Sequence, residues 1–237
     1  MSISKSRVKT SFTKAIKSYE NHIYVQKQTA VKLSELSKDL EGFGIDLGCG
    51  TGILSTLLDK NVIGLDISFS MAKSYKDKNL KVVVGDIENI PFKANTFDFA
   101  VSNFALHWTN LEKSFKEISR VLKKEGKFLF CMPIENSFKV VEEILGEKNF
   151  DFVSVETLLK MLSYNFDIQY LETKEYNLEF KSGLDLLLHL HLTGSSVGKV
   201  GSTVGEKRKI YKKFSSYKKP LTLNFNVVFI KAVNLQS

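Results

Sequence analysis

Short apolar segments alternate with segments of helical spacing between residues 43 and 133, and this alternation constrains the fold more than any other feature. Five of the apolar segments have the length and unbroken character of buried strands, among them NVIGLD, KVVVGD and GKFLFCMP. Strands that are apolar on both faces and separated by helices are typical of a parallel sheet that helices cover on both sides. The pattern therefore predicts an α/β protein with a doubly wound, mostly parallel sheet.

Weaker patterns flank this region. Residues 5–37 have helical spacing and predict a helical arm. Gly126 is expected to end the helix that precedes the fifth strand. Beyond residue 133, two alternating segments predict strands that bring the sheet to seven, and two helical segments predict a cap over about 182–219. We expect one domain over residues 1–237, made of the arm (1–37), a core (38–133) and the C-terminal strands with the cap (134–237).

The composition is that of an ordinary globular protein, with 43% apolar and 25% charged residues. No apolar run approaches the ~20 residues that a membrane span needs, and the basic N-terminus lacks the apolar stretch of a secretory signal. We therefore expect a cytoplasmic protein, with a transit peptide left open. Cys49 and Cys131 are expected to be reduced and buried, without a redox or metal role.

A glycine-rich loop follows the first predicted strand, in the stretch GIDLGCGTGILS at residues 44–55. Gly48, Gly50 and Gly52 have no Cβ atoms, so a ligand can lie against the main chain there, and the following helix points free N–H groups at it. The spacing is G-x-G-x-G, whereas a dinucleotide-binding loop is expected to be G-x-G-x-x-G. A tight turn without a ligand is the alternative interpretation.

Polar residues also stand at the ends of the next three strands. Asp66 ends the second strand, where a carboxylate can accept hydrogen bonds from both hydroxyls of a ribose, although it is also suited to cap a helix. Asp86 ends the third strand and can accept from an adenine amino group, with Ile87 beside it. The fourth strand ends in SNFALHW at residues 102–108. Because the carboxyl ends of parallel strands share one edge of a sheet, these stretches predict one ligand site.

These stretches resemble the class I S-adenosylmethionine-dependent methyltransferases, in DLGCGTG, the acid that ends the second strand, GD after the third and FDxxxSNxALxW. The resemblance covers residues 44–133 and implies a Rossmann-like fold with S-adenosyl-L-methionine as cofactor. The glycine loop and Asp46 would border its methionine part, and Asn103 would lie beneath the sulfonium. The residues assigned to the cofactor are Asp46, Gly48, Cys49, Gly50, Gly52, Asp66, Ile67, Asp86, Ile87, Asn103 and Gln26.

The arm sequence SFTKAIKSYENHIYVQKQTA, at residues 11–30, resembles the malonyl-[acyl-carrier protein] O-methyltransferases of biotin synthesis. Phe12, Ala15, Tyr19 and Gln26 fit that family's pattern, and SNFALHW matches its SNxALQW stretch with His107 in place of glutamine. The resemblance implies methylation of the free carboxylate of a malonyl thioester. One departure is GEKNFDF at residues 146–152, which has no arginine for that carboxylate.

For such an acceptor, no general base is expected, because a carboxyl group with a pKa near 4 is already an anion at neutral pH. Tyr19 and Trp108 are predicted to act by positioning, closing over the sulfonium, although ordinary packing of the arm would also explain them. Tyr19, His107 and Lys148 are predicted to contact the acceptor, with Lys148 in place of the missing arginine. His22 and His107 are expected to line or pack rather than transfer protons.

The formal net charge of +8 has two interpretations. The basic stretch 199–219 would suit an acidic acyl carrier protein, although solvated lysines explain it equally well. The basic residues of that stretch are Lys199, Lys207, Arg208, Lys209, Lys212, Lys213, Lys218 and Lys219.

Three rival functions stay open. A small-molecule O- or C-methyltransferase would share the cofactor motifs, because the cap decides the acceptor. An RNA methyltransferase would suit the charge, but the NPPY-like stretch of base methyltransferases is missing. The third rival is an S-adenosylmethionine-binding assembly factor without enzymatic activity. We expect a monomer with no metal, no stable nucleic-acid partner and no membrane partner.

Overall fold

The computed structural model describes residues 5–148, 150–195 and 203–236, and the side chains of residues 7, 8 and 14–19 are also outside the described part. Seven strands in the described residues form one sheet. The strands are β1 (Phe43–Leu47), β2 (Asn61–Asp66), β3 (Val82–Val84), β4 (Phe97–Asn103), β5 (Leu122–Pro133), β6 (Phe166–Phe180) and β7 (Leu221–Asn234).

The order of the strands is β3-β2-β1-β4-β5-β7-β6. The first five strands are parallel, and β7 runs antiparallel to both β5 and β6. The order reverses between β1 and β4, and this reversal opens a crevice at the carboxyl ends of the strands. The structure therefore confirms the predicted doubly wound, mostly parallel sheet of seven strands.

Helices lie between the strands and beside the sheet. The helices are α1 (Lys5–His22), α2 (Tyr24–Leu36), α3 (Ile53–Leu57), α4 (Phe69–Lys76), α5 (Leu111–Val121), α6 (Lys139–Leu145), α7 (Val155–Leu162), α8 (Gly183–Leu192) and α9 (Val204–Ser216). The arm is two helices, because the backbone of Ile23 leaves the helical conformation between α1 and α2. None of the helices in the described residues has the length and apolar character that a bilayer span requires.

Apolar side chains cover both faces of the sheet. Along β4, Phe97 and Ala100 belong to one hydrophobic cluster, whereas Phe99 and Val101 belong to the other. The cluster of Phe97 and Ala100 includes buried residues of α5 and α7, and the cluster of Phe99 and Val101 includes buried residues of α2, α6 and α8. Burial on both faces explains why the strand sequences are continuously apolar rather than alternating.

Two sequence expectations about local structure need correction. Gly126 does not end a helix, because α5 stops at Val121 and Gly126 lies within β5, where Glu125 has the left-handed backbone (φ 60°). The helix α6 was not predicted. Its buried residues Val141, Ile144 and Leu145 have helical spacing, which was the available signal.

Candidate active site

The glycine loop joins β1 to α3 in a conformation that side chains would disturb. Gly48 has a φ of +68°, and a Cβ atom on it would lie 2.2 Å from the Cβ of Ala105. The N–H groups of Gly48 and Cys49 both donate to the carbonyl of Leu65, at 2.8 and 3.1 Å, which fixes the loop on β2. At Gly50, by contrast, no atom lies within 4 Å of the Cβ position. The main chain at Gly50 therefore faces open space.

That open space is a cleft of about 710 Å³ at the carboxyl ends of β1, β2, β3 and β4, which we call the main cleft. It brings together eight of the residues that the sequence singled out: Gly48, Gly50, Asp66, Ile67, Asp86, Ile87, Asn103 and Trp108.

Asp66 lies in the main cleft with a preorganised carboxylate. The N–H of Gly50 donates to Oδ2 at 2.9 Å, and the N–H of Ser68 donates to Oδ1 at 2.8 Å. Burial raises the pKa of Asp66, and the two N–H bonds oppose that increase. Each carboxylate oxygen has a further lone pair, so the group can still accept two hydroxyl donors. The arrangement fits a ribose.

Asp86 has a partner that the sequence did not predict. Its Oδ1 accepts from the N–H of Glu88 at 2.9 Å, and its Oδ2 accepts from Nζ of Lys5 at 2.6 Å. Lys5, at the start of the arm, also lies 2.8 Å from the carboxylate of Glu88. An amino group of a ligand that reached Oδ2 of Asp86 would therefore take the place of Lys5.

Three predicted cofactor residues in or just before the loop are not among the residues that line the main cleft. Asp46 is buried, and its Oδ2 accepts from the hydroxyl of Ser55 at 2.6 Å. Burial raises the pKa of Asp46 to about 7. Cys49 is buried beside Gly64, and Gly52 precedes α3 with a φ of +86°. Their contacts support the shape of the loop.

Asn103 connects the end of β4 to the arm. Its Nδ2 donates to the carbonyl of Gln26 at 2.9 Å, and its Oδ1 accepts from the hydroxyl of Thr29 at 2.8 Å. Thr29 is fully buried and was missed from the sequence, since a hydroxyl within an amphipathic helix gives no distinctive signal. The side chain of Asn103 thus holds α2 at the floor of the main cleft.

A second cavity of about 370 Å³ adjoins the main cleft, and we call it the aromatic cavity. The two share Phe12, Phe104 and Trp108 as lining residues. The rings of Phe12 and Trp108 meet edge to face at 5.9 Å. The other residues that line the aromatic cavity are Gln26, His107, Pro133, Phe138, Phe150, Phe152, Thr193, Ser195 and Phe225.

Of the three residues predicted to contact the acceptor, the structure places one beside the aromatic cavity. His107 lines the aromatic cavity, whereas Lys148 is exposed and is not among the residues that line either space. The side chain of Tyr19 lies outside the described residues. His22 packs at 6.4 Å from the ring of His189 and is not among the residues that line either space.

The chain is similar to known methyltransferases. The methyltransferase domain family model matches residues 45–130. A malonyl-[acyl-carrier protein] O-methyltransferase 2 of Ilyobacter polytropus is 32% identical over 205 residues, which is 78% of each chain. An uncharacterized protein of Methanocaldococcus jannaschii is 40% identical over 132 residues, 54% of this chain, and the chain spans about half (52%) of that relative's length.

A solved structure gives the same fold. The S-adenosylmethionine-dependent methyltransferase of Thermotoga maritima superposes with a TM-score of 0.62 and 22% identity, over 97% of this chain and all of that one.

Proposed function

We propose that this chain, which belongs to the class I S-adenosylmethionine-dependent methyltransferases and lies near the malonyl-[acyl-carrier protein] O-methyltransferases, methylates the free carboxylate of a malonyl thioester. The thioester would be carried by acyl carrier protein in the cytoplasm, as a step of biotin synthesis. The observation that carries the proposal is the shared wall of the main cleft and the aromatic cavity, because an acceptor bound in that cavity would lie directly beside the cofactor.

In this proposal the main cleft holds the cofactor through residues of three strand ends. Asp66 accepts the two ribose hydroxyls, and Asp86 with Ile87 holds the adenine once Lys5 has left Oδ2 of Asp86. The bare main chain at Gly50 borders the methionine part. When bound, S-adenosylmethionine supplies an electrophilic methyl group on a positively charged sulfur.

The residues around the acceptor orient and desolvate it rather than move a proton. A carboxylate is an anion at neutral pH and needs no base. Burial lowers the pKa of His107 to about 3, so its ring is neutral and too weakly basic for general base catalysis. Alignment in a closed site can supply on the order of 7 kcal/mol of the barrier. Trp108 and Phe12 are placed between the two spaces and would exclude water there.

The docking surface for the carrier protein would be α9. Lys207, Arg208, Lys209 and Lys212 are exposed on it, whereas Nζ of Lys213 donates to the carbonyl of Leu145 and so takes part in the fold. Lys218 and Lys219 are exposed just beyond α9, and Lys199 lies outside the described residues. Positive charge of this kind steers an acidic partner.

Charge reversal tests the docking surface. The triple variant of Lys207, Lys209 and Lys212 to Glu should raise the KM for malonyl-acyl-carrier protein and leave the affinity for S-adenosylhomocysteine unchanged. Reversal of the exposed Lys113 and Lys116 on α5 is the matched control and should change neither value. Equal kinetics in the two variants would contradict docking on α9.

A second candidate function is methylation of an apolar small molecule at oxygen or carbon. The aromatic cavity favours it, because no lysine or arginine is among the described residues that line that cavity. A single assay separates the candidates. Radiolabelled S-adenosylmethionine is offered with malonyl-acyl-carrier protein, malonyl-CoA, free dicarboxylic acids, an extract of small apolar metabolites and total RNA.

A base-labile methyl ester on the malonyl thioesters alone supports the main proposal. Label in the extract of small metabolites supports the second candidate. Label in RNA contradicts both candidates, and the absence of label from every acceptor leaves a cofactor-binding assembly factor. The monomeric state expected from the sequence remains a prediction.

A further inference from the structure

The aromatic cavity contains a polar ring whose bonding is incomplete. His107 stands on a short 3₁₀ turn (Leu106–Trp108) just beyond β4, where it carries its ring into the cavity. The ring packs against Trp108 at 4.6 Å and against Phe104 and Phe152 at 6.0 Å. Among the described residues, none gives or takes a hydrogen bond at its buried Nδ1 atom.

Burial keeps this ring uncharged. Burial lowers the pKa of His107 to about 3, so the imidazole is neutral near neutral pH. A neutral imidazole has one nitrogen that carries a proton and one that has a lone pair. The tautomer is therefore the one in which the nitrogen that lacks a hydrogen-bond partner costs the least free energy.

The position of Nδ1 decides between the two tautomers. A buried N–H without an acceptor is rarer in proteins than a buried acceptor without a donor. An unpaired lone pair on Nδ1 therefore costs less free energy than an unpaired N–H at the same position, and the proton is on Nε2. Nε2, unlike Nδ1, is not among the buried polar atoms that lack a hydrogen-bond partner.

We infer that His107 carries its proton on Nε2 and donates it, as an uncharged group, to an oxygen of the acceptor bound in the aromatic cavity. The inference rests on the proposed function for the identity of the acceptor. It assigns recognition of the carboxylate to a neutral donor among aromatic rings rather than to a lysine or arginine. Lys148, the cation that the sequence suggested, is then not needed.

This assignment has a chemical consequence for the reaction. A salt bridge would stabilise the carboxylate in the ground state, and binding that is equally strong before and during the reaction does not raise the rate of the chemical step. A single neutral N–H orients the oxygen and leaves its charge available for attack on the methyl group. The same donor disfavours a protonated amine as acceptor, because two N–H groups would face one another.

The tautomer can be observed directly. Two-bond ¹H–¹⁵N spectra of protein labelled at histidine nitrogen distinguish a proton on Nε2 from one on Nδ1. The chain has four histidines, and the spectrum of His107→Phe identifies the signals of His107 by their loss. We expect a neutral ring protonated on Nε2 from pH 6 to pH 8. A proton on Nδ1, or a charged ring at pH 6, would overturn the inference.

Binding tests the donor. Calorimetry with malonyl-CoA, on protein loaded with S-adenosylhomocysteine, is compared for wild type, His107→Phe and His107→Gln. Loss of a hydrogen bond to a charged group should weaken binding to the Phe variant between about tenfold and about a hundredfold. The Gln variant keeps an N–H donor and should lie within about threefold of wild type. All three should bind S-adenosylhomocysteine equally, which shows that the fold and main cleft are intact.

The outcomes separate this inference from the proposed function. Equal malonyl-CoA affinity in wild type and His107→Phe would overturn the role of His107 while leaving methyl transfer untouched. If the wild-type protein binds neither malonyl-CoA nor malonyl-acyl-carrier protein, the proposed substrate is wrong. A proton on Nδ1 would overturn the inference for any acceptor.

Discussion

Asp46→Asn is expected to make the protein more stable relative to wild type as the pH rises. Asp46 is fully buried, and burial raises its pKa to about 7 from an ordinary 3.8. Because the folded-state pKa lies above the unfolded one, ionisation of Asp46 lowers the free energy of unfolding. This loss is absent below pH 3.8 and grows until the pH passes about 7. The difference between the two pKa values lowers the free energy of unfolding by about 4 kcal/mol at pH 8 and by about 2 kcal/mol at pH 5.

The substitution replaces the ionisable group with a neutral one of the same shape. The amide oxygen of Asn can still accept from the hydroxyl of Ser55, which lies 2.6 Å from Oδ2 of Asp46. The new NH₂ group is buried and costs about 1–3 kcal/mol if it lacks a partner, at every pH alike. The robust expectation is therefore the change between pH 5 and pH 8, which should favour Asp46→Asn by about 2 kcal/mol.

Urea unfolding at pH 5, 6.5 and 8 measures this change. Asp39→Asn is the matched control, since partial burial raises the pKa of Asp39 but hydrogen bonds from Lys231 and Lys127 lower it to about 2. The contribution of Asp39 is present above pH 3.8 and lost only as the pH falls toward 2. Its half-exposed pairs contribute at most about 1 kcal/mol, constant from pH 5 to pH 8. A difference between wild type and Asp46→Asn that is the same at all three pH values would mean that Asp46 has no raised pKa in the folded protein.

Two further variants test the main cleft. Gly48→Ala should lower both the melting temperature and the affinity for S-adenosylhomocysteine, because its Cβ would overlap Ala105. Gly205→Ala in α9, with no atom within 4 Å of the new Cβ, should lower neither, since alanine is the better helix former. Wild-type values for Gly48→Ala would be evidence against a steric role of the loop. Lys5→Met should bind S-adenosylhomocysteine up to about fivefold more tightly in calorimetry, since a competitor for Asp86 is removed, and the exposed Lys9→Met on the same helix should not. Weaker binding by Lys5→Met would mean that Lys5 helps to hold the ligand.

Local sequence patterns were sufficient to predict the sheet. Apolar strands, loop glycines and strand-end acids are set by neighbours in the chain, so β1 to β5 and the position of Asp66 at a strand end could be predicted from sequence. The antiparallel pairing of β7 between β5 and β6 is a long-range choice that no local pattern encodes.

The features that sequence reasoning missed depend on contacts between distant segments. Lys5 and Asp86 are separated by 81 positions, and the residues around them give no signal of their contact. The aromatic cavity combines rings from the arm, β7 and the segment after α6, so its walls could not be assembled from spacing. Lys148 was predicted at the acceptor by analogy with a family position; it is exposed and is not among the residues that line the aromatic cavity, and its contact with the acceptor stays a prediction.

The proposed function requires that the main cleft binds S-adenosylmethionine and that Asp66 holds it. Calorimetry of the purified protein with S-adenosylhomocysteine, for wild type and Asp66→Asn, tests this claim. We predict one molecule bound per chain and at least about tenfold weaker binding to Asp66→Asn, because hydrogen bonds to a charged acceptor are replaced by neutral ones. Binding of NADH with no uptake of S-adenosylhomocysteine, or equal affinity in the two proteins, would contradict it.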